Sequence, residues 1–72
     1  MKITLKAARI NAGLTQQQVA DKLKISKHTL INWESGSTKV SHIALCALSE
    51  IYDIDKEYIK IGELNKKGDK NG

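Results

Sequence analysis

One local pattern, written five times, constrains this chain more than anything else in it. An apolar residue is followed by Thr, Ser or Asp, and four residues after that by a second apolar residue. The instances are Ile3-Thr4…Ala8, Leu14-Thr15…Val19, Ile25-Ser26…Leu30, Val40-Ser41…Leu45 and Ile54-Asp55…Ile59. Each has the form of a helix N-cap with a hydrophobic staple. The short side-chain oxygen accepts a hydrogen bond from an orphan N–H of the first turn, and the two apolar groups clasp the entering chain. Thr15 is also followed three residues later by Gln18, which completes a capping box. Gly13 and Gly36 stand where helices begun at Thr4 and Ser26 must stop, and each supplies the left-handed residue of a C-terminal cap. The starts and stops predict helices over 4–12, 15–23, 26–35, 41–51 and 55–61.

The spacing inside these segments agrees. Leu5/Ala8/Ala12, Val19/Ala20/Leu23, Leu30/Trp33 and Ala44/Ala47/Leu48/Ile51 recur at helical intervals, and no segment alternates as a strand. The fold class is therefore all-α, with five short helices in one domain over 1–61. From Gly62 the sequence GELNKKGDKNG holds one apolar residue, Leu64, so 62–72 is expected to be a mobile polar tail. The whole chain has 72 residues, which leaves room for a thin core and little room for a buried catalytic pocket.

Composition excludes several classes. No apolar run is long enough to cross a membrane or to act as a secretory signal. A single cysteine, Cys46, cannot close an intrachain disulfide, which points to a reducing cytoplasm. His28, His42 and Cys46 lack metal-site spacing, so neither metal nor cofactor is expected. Cys46 lies among apolar residues as a small core side chain. The net charge of +4 is unevenly spread. Residues 1–49 hold seven Lys/Arg against Asp21 and Glu34, whereas 50–59 hold Lys56 against Glu50, Asp53, Asp55 and Glu57. The basic two-thirds suits either a polyanionic partner or a plainly solvated surface.

The third segment narrows the choice. Only Lys24 and Ile25 separate the second helix from the cap of the third, so the two must cross steeply. With Leu30 turned inward, Trp33 and Glu34 flank it on the core side, while His28, Asn32 and Ser35 face outward with Lys27 and Ile31 at the edge. That outer face offers donors and acceptors and no carboxylate. Lys can donate to guanine, Asn can pair with adenine, and His can do either at a base edge. Arg9 and Glu34 are the charges nearest the apolar faces of helices one and three, and their pattern fits a pair.

These residues together resemble a known family. Leu14-Thr15-Gln16-Gln17-Gln18-Val19-Ala20-Asp21-Lys22-Leu23, then Ile25-Ser26, then Leu30-Ile31-Asn32-Trp33-Glu34-Ser35-Gly36, is similar to the lambda-repressor-like (Cro/C1, Xre) helix-turn-helix proteins, over about residues 3–61. The resemblance implies a compact five-helix DNA-binding domain with the motif in helices 2 and 3, and a transcription regulator of bacterial, phage or mobile-element origin. It implies that Lys27, His28, Asn32, Thr29 and Ile31 read bases. Gln16, Gln17, Ser26, Ser35, Ser37, Thr38 and Lys39 would contact phosphates. Arg9 and Glu34 would form a buried salt bridge, with Trp33 and Leu30 also structural. The chain departs from the family pattern at Lys24, where Gly is usual, which asks a lysine to adopt a left-handed conformation at about 1 kcal/mol. It departs again at Ser35, where Asn is common, and in lacking a Pro in the following loop.

The resemblance further implies repression by occluding RNA polymerase, with dimers on half-sites ~34–36 Å apart. Pairing is expected through the helix 4–5 region at Tyr52, Ile54, Tyr58 and Ile59, although these residues serve equally well to close the core. Two alternatives stay open: an antitoxin that binds DNA and a toxin protein, or a helix-turn-helix adaptor that binds protein alone.

Overall fold

A computed structural model describes residues 2–60. Its elements run β1 (Ile3–Thr4), α1 (Leu5–Asn11), α2 (Gln16–Leu23), α3 (Lys27–Ser35), α4 (His42–Tyr52), a single 3-10 turn (Lys56–Tyr58) and β2 (Ile59–Lys60). The expected tail over 62–72 lies outside the described residues.

All five N-caps form. Thr4, Thr15, Ser26 and Ser41 each accept from the backbone N–H three residues on, and Asp55 accepts from Glu57. The capping box closes in both directions: Gln18 N–H donates to Thr15 Oγ1 at 3.1 Å, and Thr15 N–H donates to Gln18 Oε1 at 2.8 Å. The staples close too. Ala8, Val19, Leu30, Leu45 and Ile59 are all buried, while Ile3, Leu14, Ile25 and Ile54 pack against that core from its edge and Val40 lies within it.

The helix ends share a device that the sequence announced only in part. Each of the four helices closes with a Schellman pair of bonds. Leu14 N–H reaches Arg9 C=O and Gly13 N–H reaches Ile10 C=O, and the same pairing recurs at Lys24/Ile25, Gly36/Ser37 and Asp53/Ile54. The residue at the turn is left-handed every time: Gly13, Lys24, Gly36 and Asp53. At three of these joints the next residue is apolar and the one after is a cap, as in Gly13-Leu14-Thr15, Lys24-Ile25-Ser26 and Asp53-Ile54-Asp55. A single half-buried apolar side chain, packed against the core, thus anchors the end of one helix and the start of the next.

Two expectations need correction. The fifth helix, expected over 55–61, is only one 3-10 turn at Lys56–Tyr58, after which Ile59 is extended. Ile59 and Lys60 then pair in parallel with Ile3 and Thr4. The reason lies in Ile59-Lys60-Ile61, which alternates with period two and uses β-branched residues, but is too short to be read as a strand. Around this ladder the fold is mostly helical, with α2 and α3 packed together more extensively than any other pair.

The left-handed turns give a direct test. Lys24, at φ 59°, carries a Cβ that this region penalises. Lys24→Gly should raise stability by about 0.5–1 kcal/mol after glycine's extra unfolded-state entropy is subtracted. Gly13→Ala, where an added Cβ meets nothing within 4 Å, should lose about 1 kcal/mol from backbone strain alone. Chemical denaturation of the two variants beside the parent chain checks both signs.

Candidate nucleic-acid interface

The interface is built around a buried ion pair. Arg9 Nε meets Glu34 Oε2 at 2.7 Å, with side chains 10% and 5% exposed. A second guanidinium nitrogen donates to Glu34 Oε1 at 3.3 Å, and a third donates to the Leu14 carbonyl at 3.0 Å. Gln16 Nε2 adds a fourth bond, to Glu34 Oε1 at 3.0 Å. One bidentate charge pair therefore ties α1, the first turn of α2 and the last turns of α3 into a rigid body. Such geometry offsets the cost of removing two charges from water, because all three guanidinium nitrogens and both carboxylate oxygens find a partner.

Tyr52 lies near the same pair, and the structure reassigns it. Its ring is 5% exposed, so it closes the core and is not a surface for a second subunit. Ile59, at 3% exposed, is likewise core. Of the four residues expected to pair subunits, only half-buried Ile54 and exposed Tyr58 keep any outward surface. The Tyr52 hydroxyl has no hydrogen-bond partner among the described residues. Burial pushes its pKa up to about 12, the Glu34 carboxylate adds to the rise, and Arg9 opposes it.

Locked in this way, α3 turns Leu30 fully inward and leaves Lys27, His28, Ile31 and Ser35 exposed, with Thr29, Asn32, Trp33 and Glu34 half-buried. Of the face assigned from 100° spacing, His28 and Ser35 are exposed, as are Lys27 and Ile31 at its edge, whereas Asn32 is half-buried. Among the described residues, the side chains of Lys27, His28 and Asn32 take no hydrogen bond, so their donors and acceptors are uncommitted. The hydroxyls differ. Ser26 and Thr29 bond each other at 2.9 Å beside the α3 cap, and Ser35 and Ser37 do the same at 2.9 Å beyond its end. Gln17 Nε2 is held by Asp21 Oδ1 at 2.9 Å. Thr38 and Lys39 are exposed in the loop that follows.

One residue escaped the sequence reading. Lys6 of α1 lines a cleft with Gln16, Ile31, Glu34 and Ser35. The signal was present, since Lys6 precedes Arg9 by three residues and shares its helix face. Once Arg9 is known to meet α3, Lys6 must lie near α3 as well.

Cys46, half-buried on α4, has its sulfur 3.7 Å from His42 Nε2 and 3.8 Å from Lys56 Nζ. No group of three or more His, Cys, Asp or Glu suited to a metal occurs among the described residues. No helix among them is long and apolar enough to cross a membrane.

A helix-turn-helix family model matches residues 5–59. The chain belongs to the helix-turn-helix family, of the lambda-repressor-like (Cro/C1) type. Two relatives from Bacillus subtilis (strain 168) agree. The uncharacterized HTH-type transcriptional regulator YqaE is 38% identical over 63 residues, covering 88% of this chain and 54% of the relative. The HTH-type transcriptional regulator ImmR is 36% identical over 55 residues, covering 76% of this chain and 43% of the relative. The chain thus spans about half the length of the curated relatives it matches.

Two predictions test the scaffold beneath this face. Arg9→Met, which strands a buried carboxylate, should cost about 3–5 kcal/mol, and Arg9→Met/Glu34→Leu should recover much of that. Thermal unfolding distinguishes them; equal losses would mean the pair is not electrostatically coupled. Tyr52→Phe should be neutral or stabilising by about 1 kcal/mol at pH 7, because it removes a hydroxyl without a partner. A phenol whose folded pKa is raised contributes stability below its unfolded pKa of about 10 and loses it as pH climbs toward 12. The parent chain should therefore weaken over that interval by about 2–3 kcal/mol relative to Tyr52→Phe, followed by denaturation at stepped alkaline pH.

Proposed function

We propose that this chain binds double-stranded DNA sequence-specifically and regulates transcription, with α2 and α3 as its helix-turn-helix and α3 lying in the major groove. The observation that carries the reading is the outer face of α3. Lys27, His28 and Asn32 project uncommitted donors and acceptors from a helix that a buried ion pair holds rigid, and no free carboxylate interrupts them. In this reading Lys27, His28, Thr29, Ile31 and Asn32 meet base edges. The phosphate contacts are Gln16, Gln17, Ser26, Ser35, Ser37, Thr38 and Lys39. The paired hydroxyls of Ser26/Thr29 and Ser35/Ser37 bracket α3 and would re-aim toward the backbone on binding. The DNA-binding domain is residues 1–61, and the regulator is a repressor of bacterial, phage or mobile-element origin acting by occlusion of RNA polymerase in the cytoplasm.

A domain this small touches too few base pairs for genomic specificity alone, so we assign it a dimer on paired half-sites. The dimer surface is the α4 end of the domain. Ile43, in the first turn of α4, is 82% exposed, and Tyr58, in the 3-10 turn that follows α4, is 54% exposed. This reading takes these two in place of buried Tyr52 and Ile59 as the apolar contacts. The same exposed side chains favour a protein partner as the second reading, whether a toxin or another protein.

Selection from a random duplex library followed by gel shift at several salt concentrations tests the whole reading. A palindromic winner supports a DNA-binding dimer, and no enrichment supports the adaptor. Asn32→Ala should cost about 1–3 kcal/mol on the winning duplex and little on random DNA. Lys39→Ala should weaken both and flatten the salt slope by about one unit.

A further inference from the structure

Ile31 is the one residue of the α3 outer face that hydrogen-bonding chemistry does not use. It is 36% exposed, while its neighbour Leu30 is wholly buried, so the core does not require it. Lys27, Ile31 and Ser35 form one row at intervals of four, and all three are exposed. Ile31 and Ser35 also line the cleft that holds Lys6 and Gln16. An apolar, β-branched side chain with few rotamers is thereby fixed between a free lysine on one side and a cation-bearing cleft on the other.

The cleft suits a phosphate. Lys6 is its cationic group, and the Ser35 hydroxyl adds a polar contact. Glu34 also lines it, but that carboxylate is 5% exposed and bound by Arg9 at 2.7 Å, so its charge is compensated. The apolar group beside this cleft faces a particular part of the groove. Along the major-groove edge of a pyrimidine, the C5 substituent lies nearest the sugar–phosphate backbone of its own strand. The hydrogen-bonding atoms lie further toward the centre. A phosphate seated against Lys6 and Ser35 brings the C5 position of an adjacent pyrimidine toward Ile31.

We propose that Ile31 reads a pyrimidine C5-methyl group, with Lys6 and Ser35 holding the neighbouring phosphate. This rests on the DNA-binding reading above and assigns one specificity element within it. The methyl belongs to thymine in ordinary DNA and to 5-methylcytosine in modified DNA, and both present the same apolar surface. Lys6 serves as a positioning residue in this arrangement, since it touches the backbone and carries no base information.

The test uses the full chain and the duplex obtained by selection. Each thymine of a half-site is replaced in turn by deoxyuridine, which deletes only the methyl. One position should lose about fourfold in affinity, the worth of one buried methyl group. Ile31→Ala, which changes an exposed side chain, should bind the thymine and deoxyuridine duplexes equally. Placing cytosine and then 5-methylcytosine at the sensitive position separates the two sources. The methylated base should recover the fourfold with the parent chain and not with Ile31→Ala. Lys6→Ala should weaken all these duplexes by the same factor and flatten the salt slope by about one unit. A selected duplex bound with no sensitivity to any thymine methyl overturns this proposal while leaving DNA binding intact. Failure to bind any duplex overturns the parent reading and this one with it.

Discussion

The Arg9–Glu34 ion pair is the interaction on which the rest of the structure depends. It is nearly dry, and its geometry satisfies both partners: two guanidinium–carboxylate bonds, a third donor on the Leu14 carbonyl and an amide from Gln16. Its consequence is directional. Arg9 lies on α1, Gln16 opens α2 and Glu34 lies near the end of α3. Fixing these three elements fixes the azimuth of α3, and with it which side chains face solvent. A purely apolar contact at the same place would stabilise the packing while leaving the helix freer to rotate about its axis. The pair also removes one cation and one anion from the surface. The basic character of residues 1–49 is then carried by exposed lysines opposed only by Asp21.

Around that pair, the chain uses very short joints. The sequence of left-handed residue, apolar residue and cap lets one half-buried side chain serve two helices, which suits a domain whose core is thin. It also explains why Lys24 and Asp53 adopt positive φ without being glycine. The Schellman bonds and the packing of Ile25 and Ile54 against the core together over-determine the turn, and tertiary packing outweighs a local cost of about 1 kcal/mol. At Gly36 the joint is longer, with Ser37, Thr38 and Lys39 inserted before Val40 and Ser41. That loop is the one placed beside the end of α3, where polar side chains have a use other than packing.

Much of this was legible beforehand, because capping and stapling are local. The five caps, their buried partners and the outward face of α3 all follow from spacings of three or four residues. The features that escaped reading are those set by distant segments. The fifth helix shrank to one turn because Ile59 is drawn into a ladder with Ile3, a partner 56 positions away along the chain. The alternation of Ile59-Lys60-Ile61 is too short to announce that pairing by itself. Tyr52 and Ile59 look equally suited to a core or to an interface by composition, and only the packing of α4 for the one and the pairing of β2 with β1 for the other decide for the core. Lys6 stayed hidden for a related reason, since its three-residue spacing from Arg9 gains meaning only once α1 is known to meet α3.

The division between committed and uncommitted polar groups is what gives the interface its logic. Hydroxyls and amides at the helix ends, on Ser26, Thr29, Ser35, Ser37, Gln16 and Gln17, already hold bonds within the domain. Exchanging those bonds for phosphate contacts gains little net energy per group, so these residues suit sequence-independent positioning. Lys27, His28 and Asn32 hold none among the described residues, and every bond they form to a partner is new. Discrimination between sequences depends on such groups, because a mismatched base leaves a buried donor or acceptor unpaired, and that loss exceeds the gain from a match. Ile31 completes the set with the opposite chemistry, since its surface is served by a methyl group and wasted against a bare ring edge. In the proposed reading, specificity on this helix comes from four side chains that the fold leaves uncommitted, held still by an ion pair in which every nitrogen and oxygen is bonded.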